Sequence, residues 1–275
     1  MVGEQRSDAA AWVGRELGCR SIAWTDKDAI LYALSLGIEA DQLDLVFERD
    51  LQVLPTFALT LAQWAPDALG ARGAWDTASA VHGSQTLAMH RRLPPEGCTD
   101  ITASVEAVWD KGSAAVFDVA AHCEYFTATW SIFAPGIGGF GGDRGPGRPE
   151  AVVGEPDLVG RFPIAPNAAA LYRLTGDRHH IHIDPAAAAA IGQPRPILHG
   201  LSTLGHAAVQ IARMRGCHPA SLIEMEGRFS SAVFPGETVS IQLWQGGAFV
   251  VGTDRGRAID GGRAVYASEV QEYGR

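Results

Sequence analysis

The densest group of titratable side chains lies just before a segment with strong helix-start signals. Three histidines and two aspartates fall within the eight positions from Asp177 to Asp184. A carboxylate and an imidazole five positions apart, as in Asp177 and His182, can converge if the backbone between them turns. Such a pair supplies an acid and a base to a reaction that moves two protons. Gly176 offers the permissive backbone that this turn requires, so the segment is the predicted active site.

The same cluster leaves two other interpretations open. His180 and His182 have an H-x-H spacing that can bind a metal from one strand. The sequence shows no second group of His, Cys or Glu residues as the remaining ligands, so we predict no metal. Alternatively, these side chains only cap helices and cover a polar turn.

Two predicted helices follow the cluster and position it. Asp184 and Pro185 form an N-cap and a first-turn proline, five alanines favour the helix, and Gly192 ends it. The segment 200–216 places apolar residues on one helical face and predicts a largely buried helix. Beyond it, alternation of apolar and polar residues predicts strands within 238–243, 248–253 and 264–270.

The first half of the chain shows the same order of elements. Thr25 and Asp28 resemble a capping box, which predicts a helix ending at Gly37. A more apolar helix is predicted over 54–63, opened by a proline, and strands are predicted over 101–108 and 114–125. Helices followed by antiparallel strands, twice over, predict an α+β duplication.

Glycine and proline dominate the segment 135–149, where no regular element is expected. We place the boundary there and predict a first domain at 1–140, a linker at 141–157 and a second domain at 158–275. The glycines do not form a dinucleotide-binding fingerprint, because Pro146 and Pro149 obstruct the helix that must follow one.

The composition narrows the function class. Hydrophobic residues make up 47% of the 275 residues and charged residues 19%, which is typical of a globular chain. A net charge of -9 argues against binding nucleic acid or an anionic membrane. Four scattered cysteines, no apolar leader and no peroxisomal C-terminal signal predict a cytoplasmic protein that does not enter a membrane.

Several motifs together resemble one enzyme family. Residues 175–185, followed by Pro194-Arg-Pro-Ile-Leu-His-Gly-Leu201, are similar to the signature of MaoC-like dehydratases and (R)-specific enoyl-CoA hydratases, the hydratase 2 family. The resemblance extends to the N-terminal half of members with two hot-dog folds. The matching stretches there are 28–37, 53–57, 82–83, 110–112 and 138–142.

The resemblance implies two tandem hot-dog folds, each a curled antiparallel sheet around a central helix, packed as a pseudo-dimer. Only the second would be catalytic, and the first would accommodate the acyl chain. Asp177 and His182 would activate water and deliver a proton to the α-carbon of a trans-2-enoyl thioester, giving an (R)-3-hydroxyacyl-CoA. The backbone N–H of Gly200 would stabilise the charge on the carbonyl oxygen. The implied partner is an acyl-CoA or acyl-carrier thioester, and no metal or redox cofactor is implied. The resemblance also suggests a homodimer.

The sequence departs from the family where His179-His180 replaces the usual Asn-Pro. His179 is expected to help orient the reacting water or to shift the protonation balance of the pair. Two alternatives are a thioester hydrolase on the same fold, and a weakened binding protein or specialised dehydratase. The residues predicted to contact substrate are Tyr172, His180, His199, Gly141 and Arg144, the last through CoA phosphates.

Overall fold

A computed structural model describes residues 9–147 and 152–267 of the chain. No helix of this described part is long and apolar enough to span a bilayer. Its α-helices are α1 (Asp26–Ser35), α2 (Leu43–Val46), α3 (Ala58–Ala62), α4 (Trp64–Ala71), α5 (Ala168–Tyr172), α6 (Pro185–Ala190) and α7 (Gly200–Arg215).

The strands of the described residues form one antiparallel sheet. Along the sheet their order is β1-β3-β4-β5-β2-β7-β10-β9-β8-β6. The first five are β1 (Glu16–Trp24), β2 (Val81–Met89), β3 (Gly97–Asp110), β4 (Ala114–His122) and β5 (Phe126–Pro135). The other five are β6 (Leu158–Pro163), β7 (Leu222–Phe229), β8 (Thr238–Leu243), β9 (Ala248–Thr253) and β10 (Gly256–Tyr266).

The sheet repeats one topology in each half of the chain. In both halves the first strand lies at an outer edge, followed inward by the third, fourth, fifth and second strands. The two second strands, β2 and β7, pair antiparallel from Ser84↔Arg228 to Ala88↔Glu224 and join the halves. This repeated order confirms the predicted α+β duplication.

Three helix limits lie at or next to the predicted signals. The Asp28 carboxylate accepts hydrogen bonds from the backbone N–H and the hydroxyl of Thr25, at 2.9 and 2.8 Å, and so fixes the start of α1. Asp184 caps α6 by accepting from the N–H of Ala186 at 2.8 Å. α7 ends at Gly216, whose φ of 68° is favourable for glycine.

Each half packs its sheet around helices, but the two central helices differ. α7 runs for 16 residues, with Leu204 and Ile211 fully buried. In the first half a 3₁₀ turn at Pro55–Phe57 leads into α3 and then α4. Pro66 has no N–H to donate to the Ala62 carbonyl, which explains why α3 ends there and α4 starts anew.

The described part of the glycine-rich join, 136–147, contains no helix or strand, as predicted. It folds back onto the turn between β3 and β4, because the Asp110 carboxylate accepts from the N–H groups of Gly139, Gly112 and Gly141 at 2.7–2.8 Å. These backbone donors lower the pKa of Asp110. Residues 148–151 of the predicted linker lie outside the described residues, and its limits stay a prediction.

We expect acid to destabilise the protein through buried neutral histidines. His206 is 3% exposed, and burial lowers its pKa to about 4. The unfolded state takes up a proton near pH 6.5 that the folded state refuses until about pH 4, so stability is lost as pH falls between these values. His206 should contribute about 2 kcal/mol to this loss between about pH 7.5 and about pH 5.

Urea unfolding at these two pH values measures the effect. His206→Gln should unfold with a weaker pH dependence than the parent, because glutamine does not titrate. An unchanged pH dependence in His206→Gln would show that this histidine is not kept neutral in the fold.

Candidate active site

Asp177 and His182 lie at the two ends of a short turn and face each other. A 3₁₀ turn after α5 leads to Gly176, whose φ of 147° only glycine adopts readily. A second 3₁₀ turn, His180–His182, returns the chain. His182 Nε2 lies 3.9 Å from Asp177 Oδ2. The structure therefore brings together the carboxylate and imidazole that the sequence singles out.

His182 is oriented as a neutral base. It is 7% exposed, and its Nδ1 lies 2.9 Å from the carbonyl of Ile197. Because a carbonyl only accepts, Nδ1 carries the proton, and Nε2, which lies 3.9 Å from Asp177 Oδ2, keeps its lone pair. Burial lowers the pKa of His182, and the nearby Asp177 carboxylate opposes this shift. The imidazole is thus held ready to accept a proton.

The Asp177 carboxylate is held by backbone rather than by another side chain. Its Oδ1 accepts from the N–H of His179 at 3.0 Å, which leaves Oδ2 facing His182. The 3.9 Å separation is too long for a direct hydrogen bond. One water molecule can instead donate a hydrogen to each of these two acceptors.

His199 packs directly against His182. Its ring stacks on His182 with centroids 3.6 Å apart, and its Nε2 donates to the Asp177 carbonyl at 3.1 Å. Burial and the neighbouring His182 lower the pKa of His199. Tyr172 packs against His199, with ring centroids 4.7 Å apart, and is 1% exposed. Both rings are buried, and their predicted contact with substrate stays a prediction.

In the fold, His199 joins Asp177 and His182 as a third side chain of a kind that can bind a metal. One ligand atom each of Asp177, His182 and His199 lies within 4.8 Å of the others. However, the two imidazole planes are inclined by only 23°, so their in-plane lone pairs run side by side instead of converging. This arrangement suits proton transfer better than metal binding.

Gly200 is the first residue of α7, and no side chain caps this helix. Its N–H therefore lies at the positive end of the helix dipole, where negative charge is stabilised. A Cβ at this position would lie 3.1 Å from the ring of Phe229. Glycine thus allows α7 to begin close to the end of β7.

His179 and His180 are both exposed. His179 Nδ1 accepts from the N–H of Ile181 at 3.4 Å, so Nε2 carries the proton. Its ring centroid lies 6.3 Å from that of His182. The link from position 179 to Asp177 is its backbone N–H, which histidine and asparagine share. The predicted roles of both histidines toward water and substrate stay predictions.

Gly141 and Arg144 lie in the segment anchored by Asp110. The carbonyl of Arg144 accepts from Lys111 Nζ, and the side chain of Arg144 is exposed. These contacts join both residues to the turn between β3 and β4 of the first half. Their binding of substrate stays a prediction.

Asp177 shifts the pKa of two residues in the first half of the chain, His82 and Asp67. The sequence did not indicate either residue as part of the site. Burial lowers the pKa of His82 to about 4, and the carboxylate of Asp177 opposes that shift. The His82 ring lies against Phe229, with centroids 4.8 Å apart. Asp67 is the second: burial raises its pKa, and the negative charge of Asp177 raises it further. Both residues come near Asp177 only because folding brings the first half of the chain beside the second. Their positions in the sequence alone therefore do not identify them.

A cleft of about 380 Å³ lies beside the turn that leads into Asp177. Leu174, Thr175 and Gly176, the three residues that precede Asp177 in the chain, form one of its walls. Its remaining walls come from the first half, chiefly the end of β1, α1 and the segment from Phe57 to Asp67. Its volume is in the range of small-molecule sites.

Two family models match the chain, one in each half. Residues 23–133 match the MFE-2 hydratase 2 N-terminal domain, and residues 150–263 match the MaoC-like domain. The chain is 37% identical to enoyl-CoA hydratase ChsH3 of Mycobacterium tuberculosis, over 90% of this chain and 94% of that protein. It is 35% identical to 3-hydroxyacyl-thioester dehydratase Y of the same organism, over 86% of this chain and 84% of that protein.

A solved structure agrees with these matches. The crystal structure of a MaoC-like dehydratase from Phytophthora capsici superposes with a TM-score of 0.84 at 26% identity, covering 96% of this chain and 98% of that one. Another structural neighbour, Rv0216 of Mycobacterium tuberculosis, is described as a double hot-dog fold and has a TM-score of 0.59 at 14% identity. The chain therefore belongs to the MaoC-like dehydratase family, with the two-hot-dog architecture of its hydratase 2 members.

Proposed function

We propose that this chain is a hydro-lyase that reversibly hydrates trans-2-enoyl-CoA to (R)-3-hydroxyacyl-CoA. The observation that carries the proposal is the neutral, buried His182 facing the Asp177 carboxylate across 3.9 Å. The names of its relatives, an enoyl-CoA hydratase and a 3-hydroxyacyl-thioester dehydratase, support the same reaction class.

The pair moves two protons in this reaction. A water held between His182 Nε2 and Asp177 Oδ2 adds its oxygen to the β-carbon, and one of the two side chains accepts a proton from it. A proton from the pair then passes to the α-carbon, so the net change is the addition of H and OH across the double bond. Elimination from the 3-hydroxyacyl thioester runs through the same groups in reverse.

Negative charge builds on the thioester carbonyl oxygen during the addition. The N–H of Gly200 is the proposed donor to that oxygen, because it lies at the uncapped N-terminus of α7. Neither step requires a metal or a redox cofactor. We therefore expect activity to survive dialysis against EDTA, and its loss with recovery on adding a divalent metal would contradict this view.

The first half, assigned to 1–140, is proposed to be non-catalytic and to receive the acyl chain. The cleft between its helices and residues 174–176 supports this assignment. The second half, from 158 onward, carries the reacting pair, and 141–157 connects them. A cytoplasmic location and a homodimer complete the proposal.

Incubation of the purified protein with crotonyl-CoA and longer trans-2-enoyl-CoAs tests the reaction. We expect loss of the enone absorbance without release of free thiol, and chiral analysis should give the (R)-alcohol. Thiol release would identify a thioesterase instead. Binding without turnover of any enoyl thioester would identify a binding protein.

The double substitution His179→Asn with His180→Pro tests the departure from the family motif. Its effect on kcat/KM should stay well below the roughly 10²-fold typical of a lost acid–base group, because asparagine retains the backbone N–H that holds Asp177. Steady-state hydration of crotonyl-CoA measures it. A gain of that size would show that the natural sequence has moved away from the common reaction.

A further inference from the structure

The cleft beside Gly176 is lined by both aromatic and polar side chains. Trp24, Phe57 and Trp64 supply aromatic walls. Most of its polar side chains are already engaged within the fold. Trp24 Nε1 donates to Pro94, Thr60 to Phe57 and Thr175 to Tyr172, while Asp28 accepts from Thr25.

The polar groups left for a ligand come from one helical segment. Gln63 and Asp67 are four residues apart, so they lie on the same helical face, and Trp64 adjoins them. Gln63 Oε1 and Trp64 Nε1 are buried and have no hydrogen-bond partner among the described residues. A buried polar atom without a partner is costly and points to a missing ligand group or water. Asp67 adds a carboxylate that a Gln63 hydrogen bond helps to hold.

We propose that this cleft selects thioesters whose acyl chain carries a hydroxyl group at its far end, with Asp67 as the residue that recognises it. The inference rests on the proposed function, since it requires the acyl tail to run from Asp177 past Gly176 into the cleft. A wholly apolar tail would lie against Asp67 and strip water from its carboxylate without replacing the lost hydrogen bonds. A terminal hydroxyl donates its one hydrogen to that carboxylate and can accept a hydrogen bond from Trp64 Nε1.

The test compares pairs of trans-2-enoyl-CoAs of equal length, from octenoyl to dodecenoyl, that end in a methyl or a hydroxyl group. At the length that reaches Asp67, the parent should favour the hydroxylated member in kcat/KM by between about two- and tenfold, the effect of one hydrogen bond. Asp67→Leu should remove or reverse the preference, and Asp67→Asn, which keeps an acceptor, should retain part of it. The ratio within each variant cancels any effect of Asp67 on the reacting pair, since both substrates share the same chemistry.

Asp41→Leu is the matched control, because it removes an exposed carboxylate outside the cleft and should keep the parental ratio. A parental preference for the methyl-ended substrate at every length, or an unchanged ratio in Asp67→Leu, would overturn the inference. Calorimetric binding of saturated acyl-CoAs that end in a methyl or a hydroxyl group tests the cleft separately from the proposed reaction, because these thioesters cannot be hydrated. Tighter binding of the hydroxylated thioester without hydration of any enoyl substrate would support hydroxyl recognition by the cleft and contradict the hydratase proposal. Equal affinities for the two thioesters would contradict hydroxyl recognition.

Discussion

Asp177→Asn lowers kcat/KM for hydration by about 10²-fold or more, the expected size of an acid–base contribution. Asparagine has the shape of aspartate and can still accept the His179 N–H hydrogen bond that orients Oδ1. It cannot accept a proton or return one. The substitution should therefore leave the turn in place and remove the proton transfer, and the loss should appear in kcat because the group acts in the transition state.

A second aspartate in the same segment provides the control. Asp184 caps α6 through Ala186 and is exposed, and asparagine is an equally good cap. Asp184→Asn should therefore retain nearly parental activity and thermal stability. Near-parental turnover in Asp177→Asn, with Asp184→Asn also active, would exclude Asp177 from the acid–base role.

Elements with local stop and start signals are predictable from this sequence. The Thr25–Asp28 capping box, the Asp184-Pro185 start and the Gly216 end all act within one turn of helix, so the residues near them determine the bounds. Strands without regular alternation were missed. β2 contains His82-Gly83-Ser84-Gln85, and its pairing with β5 and β7 supports it where its own pattern does not.

The ends of the strands also depend on pairing with neighbouring strands rather than on the local pattern. The predicted strand 114–125 corresponds to β4 but extends three residues too far, since β4 ends at His122 and residues 123–125 form the turn before β5. β10 starts at Gly256, well before the predicted 264, because pairing with β7 and β9 holds its glycine-rich and arginine-rich beginning. Residues 268–270 of that predicted strand lie outside the described residues.

The site shows the same division between local and long-range information. Asp177 and His182 belong to one short turn, and their convergence follows from the glycine and the spacing between them. His199 also belongs to the motif, but its stacking on His182 depends on how residues 183–198 return to the turn. His82 and Asp67 come from the other half of a duplicated fold. No local pattern could place them near Asp177 without the pairing of β2 with β7.

His182→Gln should lower kcat/KM by about 10²-fold or more, like the loss of Asp177. Glutamine fills most of the space of histidine and its amide stays polar, but it has no lone pair that accepts a proton at neutral pH. His90→Gln is the control, since His90 is an exposed histidine that lies outside both the motif and the cleft. Normal turnover in His182→Gln would show that the imidazole does not take part in the reaction.

The pH profile of the parent distinguishes a proton-accepting His182 from a structural one. Hydration needs the neutral imidazole, and burial lowers the pKa of His182, so the acid limb of kcat/KM should lie below the value of about 6.5 for a free histidine. Acid unfolding, expected in the same direction from His206, must be separated from this titration. Circular dichroism at each pH and recovery of full activity on return to neutral pH make that separation. An acid limb at or above the free-histidine value, in protein that remains folded, would mean that His182 is not the buried neutral base on which the reaction depends.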